Sequence, residues 1–231
     1  MGYRRIRDEL DKKYGVKVND KRALKLCQRN GIQSMTKWKS KGCTRGSKDP
    51  ALIADNCLNR NFHADAPNEK WLTDVTEFKY YIGTEKHKIY LSAILDLYDR
   101  RIVAYQISDR NNNPLVMDTF DKAVAACPDA HPLIHSDRGF QYTSNEFHDR
   151  IQKHEMKQSM SRVGCCIDNG PMEGFWGILK REMYYRKRFK LRTNLVAAVK
   201  SYIRYYNTER IQRKLGLMTP MERHENFYMA A

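Results

Sequence analysis

The sequence predicts an α/β protein, a mixed five-stranded sheet flanked by helices, with a small helical segment ahead of it. Two observations carry this reading. From Lys70 onward, apolar residues recur with period two in three runs, KWLTDVTEFK, KIYLSAILD and RIVAYQI, joined by short links. After Asn113 the period becomes 3.6, and helical stretches alternate with short apolar runs, as when strands are connected through helices. A third observation sets the front apart. Residues 1–50 hold 15 Lys or Arg against 5 Asp or Glu, so +10 of the chain's net +15 lies there.

At the front, Tyr3, Ile6, Leu10 and Tyr14 recur at helical spacing as far as Gly15. Asn19 or Asp20 can cap a second helix, with Ala23, Leu24 and Cys27 on its inner face and Asn30-Gly31 as its end. Two short helices around a tight turn predict a helix-turn-helix-like DNA-binding segment over residues 1–36. Lys21, Arg22, Lys25 and Arg29 of the second helix are its candidate DNA contacts. A hairpin that merely packs on the core stays open beside this, because two helices bury little without a third. Residues 37–68 read as a basic linker, through KWKSKGCTRGSKDP to Ala66-Pro67-Asn68, with one helical turn over residues 51–54.

Residues 69–231 make the core. Strands at 71–79, 88–96 and 101–107 form an antiparallel meander. A helix from Asn113-Pro114 buries Leu115, Val116, Thr119, Phe120, Ala123, Val124 and Cys127. A short strand at 132–134, a helix at 144–155 capped by Ser144 and a strand at 156–160 follow. Helices at 170–186 and 193–207 complete the order β-β-β-α-β-α-β-α-α. That order fits a ribonuclease-H-like core, whose first and fourth strands are neighbours.

The chemistry concentrates in carboxylates. Asp137 ends the fourth strand and precedes Gly139, while Glu173, 35 residues further on, opens a helix with Asp168 or Asn169 as cap and Pro171 in its first turn. Met172, Phe175, Trp176, Leu179 and Met183 give that helix its apolar stripe, so Trp176 is expected in the core. Asp74 lies mid-strand, where aspartate is depleted because it does not pack on a pleated surface. Three carboxylates from two adjacent strands and a helix can hold two hard cations about 4 Å apart. Each acid also has a plain structural reading: a turn former, a helix N-terminal charge, an edge-strand charge. His135 can equally be a satisfied core histidine. Asp96, Asp99 and Asp168 read as turn or cap residues, and Arg210 and Lys214 as DNA backbone contacts.

The blocks WLTDVTEF, HSDRGFQYTSNEF and SMSRVGCCIDNGPMEGFWGILKREM resemble the three blocks of the DDE transposase and retroviral-integrase core. More narrowly, they resemble the second-frame (OrfB) product of IS-three-type bacterial insertion sequences. GYRRIRDEL…VNDKRALKLCQRNGI and YYNTERIQRKLGLMTPMER extend the likeness over nearly the whole chain. Gly170 stands where alanine is common, Gln212 where histidine is common, and the Cys165-Cys166 pair is unusual. The resemblance implies metal-dependent cleavage at the ends of a DNA element and strand transfer into target DNA. Asp74, Asp137 and Glu173 would be the catalytic and metal-binding triad for Mg²⁺ or Mn²⁺, two ions in all. It further implies binding to terminal repeats and target, a homo-oligomer on DNA, the upstream-frame (OrfA) product as a partner, and more helix ahead of Met1. Lys180, seven residues after Glu173 and so about 10 Å along the same helix face, would touch a phosphate near the reacting bond.

Composition narrows the setting. The net charge of +15 and a pI near 9.6 suit a polyanionic partner. No 18-residue apolar run or signal-type start is present, which predicts a chain that neither spans a membrane nor is secreted; a cytoplasmic, nucleoid-associated place in a bacterium is what the resemblance implies. The six cysteines lack zinc spacing and are expected as free thiols. Two other functions fit part of the pattern: a catalytically inactive DNA-binding relic, and a ribonuclease-H-type nuclease that cuts without joining.

Overall fold

Strand β1 (Lys70–Ile82) forms the centre of the sheet. It pairs antiparallel with β2 (Glu85–Asp96) through the Gly83-Thr84 turn, and β2 pairs antiparallel with β3 (Ile102–Ser108). On its other side β1 lies parallel to β4 (Leu133–Ser136), which is parallel to β5 (Lys157–Met160), giving the order β3-β2-β1-β4-β5. The computed structural model describes residues 2–34, 53–162, 166–185 and 187–230. Cys43, Cys165, the Cys166 side chain, residues 37–52 of the expected linker and Arg186 lie outside them.

Period two along β1 sends Leu72 and Phe78 to one face of the sheet and Trp71 to the other, all fully buried. The Leu72 face packs on α5 (Gly170–Leu179) and α6 (Arg192–Thr208); the Trp71 face packs on α3 (Asn113–Ala126) and α4 (Asn145–Lys153). Burying each such aromatic or leucine is worth about 1.5–3 kcal/mol, so both helix layers are held chiefly by these faces. Asp74 shares the parity of Leu72 and Phe78 and therefore faces α5. The caps expected of Asn19 and Ser144 form: Arg22 N–H donates to Asn19 Oδ1 at 2.8 Å and Phe147 N–H to Ser144 Oγ at 3.3 Å.

Three expectations need correction. Neither Asp168 nor Asn169 caps α5 with its side chain, because Asp168 is held by two arginines and Asn169 Nδ2 donates to Thr73 O at 3.3 Å. The single helix over 170–186 instead changes at Lys180 into a π-helical turn, Lys180–Tyr184. Ile53 and Ala54 are not helical.

A helix that the periodicity did not announce, α7 (Pro220–Ala230), closes the chain. Its start is a capping box: Thr219 N–H donates to Glu222 Oε2 at 2.7 Å, and Glu222 N–H to Thr219 Oγ1 at 3.1 Å. His224 of this helix reaches the buried Asp99 at 2.7 Å, and Phe227 meets Tyr98 edge to face at 5.2 Å. Asp99 does form the expected turn, accepting from Arg101 N–H at 2.8 Å, as Asp96 does from Tyr98 N–H at 2.7 Å. Burial, and then the charge of Asp99, push Asp96 up to about 6.

The front helices α1 (Tyr3–Tyr14) and α2 (Asp20–Arg29) bury Ala23 and Cys27, whereas Leu24 is exposed, against expectation. Ionic contacts tie α1 to the C-terminal elements. Asp8, buried, binds Arg213 at 2.9 Å; Arg5 binds Glu182 at 3.0 Å; Lys12 binds Glu222. Glu182 also takes both nitrogens of Arg210 at 2.9 and 3.1 Å. With its side chain only 13 % exposed, Arg210 is a structural ion pair rather than a backbone contact. Among the described residues Cys27, Cys57 and Cys127 are free thiols, and no helix is long and apolar enough to cross a membrane.

Candidate active site

The sheet brings Asp74 and Asp137 to one place. Leu72 pairs with His135 across the parallel β1–β4 ladder, so two residues further on Asp74 is level with Asp137, just past the end of β4. The C-terminal edge of parallel strands is where α/β folds open a crevice. α5 then lays its first turn, with Glu173, over the same spot. Trp176, one turn after Glu173 and 6 % exposed, donates its indole N–H to Asp74 Oδ2 at 2.9 Å. Val75 N–H donates to Asp74 Oδ1 at 2.7 Å, which fixes the carboxyl at both oxygens.

The electrostatics follows from this arrangement. Burial pushes the Asp74 carboxyl up to about 7, helped next by the charge of Asp137 and, more weakly, by that of Glu173. Two hydrogen bonds oppose the shift without cancelling it. Burial also raises the phenol of Tyr142, and the charges of Asp74 and Asp137 raise it further. Its hydroxyl lies 3.2 Å from Thr73 Oγ1, on the opposite face of β1. Asp137 stands at the mouth: the residue as a whole is open to solvent, while its carboxyl is crowded enough by protein for its affinity for a proton to rise, against the pull of Gly139 N–H at 2.9 Å. Glu173 is exposed. Among the described residues no three His, Cys, Asp or Glu side chains stand close enough together, as they are arranged, to hold an ion.

Gly139 matters for the space it leaves. A Cβ there would come within 3.0 Å of Asp137 Oδ1 and 3.1 Å of Gln141 Oε1. Gly139→Ala is therefore expected to turn the Asp137 carboxyl away and to lower the DNA cleavage that the resemblance implies about 10-fold or more, with little change in Tm. Unchanged cleavage in a gel assay would show that this carboxyl can shift without cost.

His135 settles as a core residue. It is fully buried, Nδ1 lies 2.9 Å from Ser159 Oγ and Nε2 3.1 Å from Ser161 Oγ, and burial pushes it down to about 4. Asp168 is likewise no part of the acid group: its carboxyl is held well below the usual range, first by the Arg162 guanidinium and also by Arg60. Lys180 caps α5, with Nζ over the Phe78 ring, 5.4 Å from its centroid. Lys21, Arg22, Lys25 and Arg29 all stand exposed on α2, away from the acids in sequence. Trp176 is the residue the periodicity hid: its spacing put it in the core, and only its indole N–H reveals a second task. Asn169 was seen only as a cap; its Oδ1 is buried with no partner among the described residues.

Comparison with known proteins agrees with this frame. The integrase core domain family matches residues 64–166, a second integrase core domain family residues 173–227, and an HTH-like domain residues 1–40. The putative transposase InsK of element IS150 from Escherichia coli K12 is 38% identical over 229 residues, covering 99% of this chain and 78% of that protein. The chain belongs to the integrase-core family of insertion-sequence transposases. An uncharacterized transposase-like protein of Haemophilus influenzae is 40% identical over 206 residues, 89% of this chain and 93% of its own. InsF of IS3A from E. coli K12 is 31% identical, covering 99% of this chain and 78% of that protein. The fold of this transposase-family chain recurs in the HTLV-2 integrase catalytic core, solved with magnesium: TM-score 0.56 at 20% identity, over 70% of this chain and 99% of that one. It recurs again in a simian T-cell lymphotropic virus intasome, at TM-score 0.61 and 16% identity, over 94% and 73%. The mixed five-stranded sheet is thus the ribonuclease-H-like core that the order of elements predicted.

Proposed function

We propose that this chain is a DDE transposase, cutting DNA at the ends of its element and joining them to target DNA, with Asp74, Asp137 and Glu173 as the acid triad. The observation that carries this reading is electrostatic: the Asp74 carboxyl senses both of the other acids. The donor set fits the cofactor, since three carboxylates offer only hard oxygen ligands, as Mg²⁺ or Mn²⁺ require. A half-buried Asp74 whose carboxyl is pushed up to about 7 marks a site whose like charges call for a cation between them. When bound, two such ions would activate the attacking oxygen, from water or a DNA 3′-hydroxyl, and neutralise the leaving oxygen.

The chain's own residues orient and bind. Trp176 and Val75 N–H hold Asp74 toward α5, and Gly139 N–H holds Asp137 at the mouth. Lys180 would take a phosphate near the reacting bond, and Lys21, Arg22, Lys25 and Arg29 would take the element end. Assembly as a homo-oligomer on DNA and partnership with the upstream-frame product belong to the same reading, as do the bacterial cytoplasm and nucleoid.

The test is a labelled duplex carrying the element end, incubated with protein in Mg²⁺, in Mn²⁺ and in chelator. Cleavage and joining are expected with either ion and neither in chelator. Full activity in chelator rejects the mechanism; cutting without joining leaves a ribonuclease-H-type nuclease; binding with neither step leaves an inactive relic. A second expectation concerns α2. Replacing Lys21, Arg22, Lys25 and Arg29 together with Ala should flatten log affinity against log salt by up to about 3–4 units, at roughly 0.9 per phosphate contact. An unchanged slope in a salt titration would make this face a solvated surface.

A further inference from the structure

We propose that Arg138, Arg162 and Arg60 form a pre-set row of guanidinium groups that binds backbone phosphates of DNA lying across the acid group. The proposal rests on the transposase reading for the identity of its polyanion. Its geometry starts from the sheet. β4 and β5 are parallel neighbours with Ser136 level with Met160, and Ser161 N–H donates to Ser136 O at 2.9 Å. The two chains therefore leave the sheet side by side, Asp137-Arg138 next to Ser161-Arg162. One of the triad acids and two arginines thus emerge at one edge.

Each guanidinium in the row is fixed by a short bond. Arg138 Nε donates to Ser161 O at 2.9 Å. Arg162 grips Asp168 through Nε and a terminal nitrogen, both at 2.9 Å. Arg60 reaches the other side of the same carboxylate through Nε at 2.7 Å. Asp168 is fully buried and also accepts from Asn56 Nδ2 at 3.0 Å and Arg162 N–H at 3.1 Å. It carries five donors in all, a rigid anchor rather than a ligand.

Neutralising Asp168 needs one arginine, and two are present. The trio of Asp168, Arg60 and Arg162 keeps a net +1, and Arg138 adds another. The side chains of Arg60 and Arg162 are still 46% and 47% exposed while bonded. The terminal nitrogens of Arg60 and Arg138 have no hydrogen-bond partner among the described residues. A guanidinium held at one edge, with its remaining N–H groups turned to solvent, is suited to phosphate. Arg60 is moreover placed at a cost. It lies in the left-handed region at φ 61°, straight after Asn59 at φ 43°, a conformation that side chains other than glycine rarely adopt. The segment around it lies along β5, with Leu58 N–H on Ser159 Oγ at 3.1 Å and Met160 N–H on Asp55 O at 3.2 Å.

The reason for such a row is electrostatic. Three carboxylates gathered at one crevice repel the polyanion that they must act on, and fixed cations along one wall offset that repulsion and set the strand's path. Arginines anchored beforehand lose little side-chain freedom when a phosphate arrives.

The experiment is a salt titration of duplex binding by fluorescence anisotropy, on the full chain in chelator. Arg138→Ala and Arg60→Ala should each flatten the slope of log affinity against log salt by about 0.9, and together by about twice that. Arg60→Lys should keep the slope. Lys153→Ala, at the end of α4 that leads into the start of β5 and so at the opposite edge of the sheet, should also keep it. Arg60→Ala also removes a bond to the buried Asp168 that holds its segment, so Arg138→Ala, which gives up one bond to a backbone carbonyl, is the deciding variant. If both alanine variants keep the wild-type slope, the row is a structural salt bridge and the proposal is overturned, while metal-dependent cleavage would still stand. If wild-type chain binds no duplex at all, the transposase reading falls with it.

Discussion

Asp137→Asn should abolish strand cleavage, with a loss on the order of 10³-fold or more, while duplex affinity stays within about twofold. The substitution keeps the shape of the side chain and an oxygen for Gly139 N–H, so the turn after β4 survives. It removes the negative charge that would make this oxygen a ligand for a hard divalent ion. Affinity for generic duplex depends on cations elsewhere, and removing an acid from the crevice weakens repulsion of phosphate. The measurement pairs a cleavage time course in Mg²⁺ with anisotropy in chelator. Cleavage surviving at more than a tenth of the wild-type rate would remove Asp137 from the triad, whatever the binding data show.

The second large effect is on stability. Asp74 has an ordinary value of 3.8 and is pushed up to about 7 in the fold, by burial first and then by the charge of Asp137. The folded state therefore holds a proton that the unfolded chain has released. Between these two values the unfolded chain binds fewer protons, so stability falls as pH rises. Metal-free protein should accordingly lose stability from about pH 4 to about pH 7 and then level off. Asp137, whose affinity for a proton burial also raises, acts in the same direction. At about 1.4 kcal/mol per unit, discounted for sharing within a coupled pair, the loss is on the order of 2–4 kcal/mol. Asp74→Asn deletes the charge and keeps one accepting oxygen, while its amide nitrogen cannot accept from the second of the two N–H donors. In chelator it should raise Tm by about 5 °C at pH 8 relative to its effect at pH 4, where no charge is relieved and only the lost hydrogen bond counts. Melting curves at the two pH values decide the matter. A destabilised Asp74→Asn at pH 8 would mean that the Trp176 and Val75 hydrogen bonds outweigh the repulsion.

Those two acids also mark what local sequence can and cannot convey. Asp74 was legible because a charge mid-strand breaks the period-two pattern, and the break was visible without coordinates. The adjacency of β1 and β4 was expected only because the order of elements fits a ribonuclease-H-like core, in which the first and fourth strands are neighbours, and the pairing of Leu72 with His135 bears it out. Trp176 was not legible in its second role. Its spacing matched an apolar stripe, and a hydrogen bond from its indole to a residue 102 positions away leaves no trace in helical periodicity. α7 was missed although Thr219-Pro220-Met221-Glu222 carried the signal of a capping box, because its weakly apolar face gives little period to detect.

The sequence by itself determined the class of fold and the run of strands and helices through the core, both of which rest on patterns local to a strand, a turn or a helix. It left each of the three acids with a structural reading as good as a catalytic one, and only the likeness of whole blocks to a known family singled them out together. Tertiary structure alone decided which groups hold those acids in place. It also decided that Arg210 serves Glu182 rather than DNA, that Asp168 anchors Arg60 and Arg162 instead of capping α5, and that Leu24 faces solvent. The physical reason is the same in each case. A charged or amphipathic side chain has several local uses of nearly equal free energy, and the partner that a distant part of the chain brings within about 3 Å selects among them.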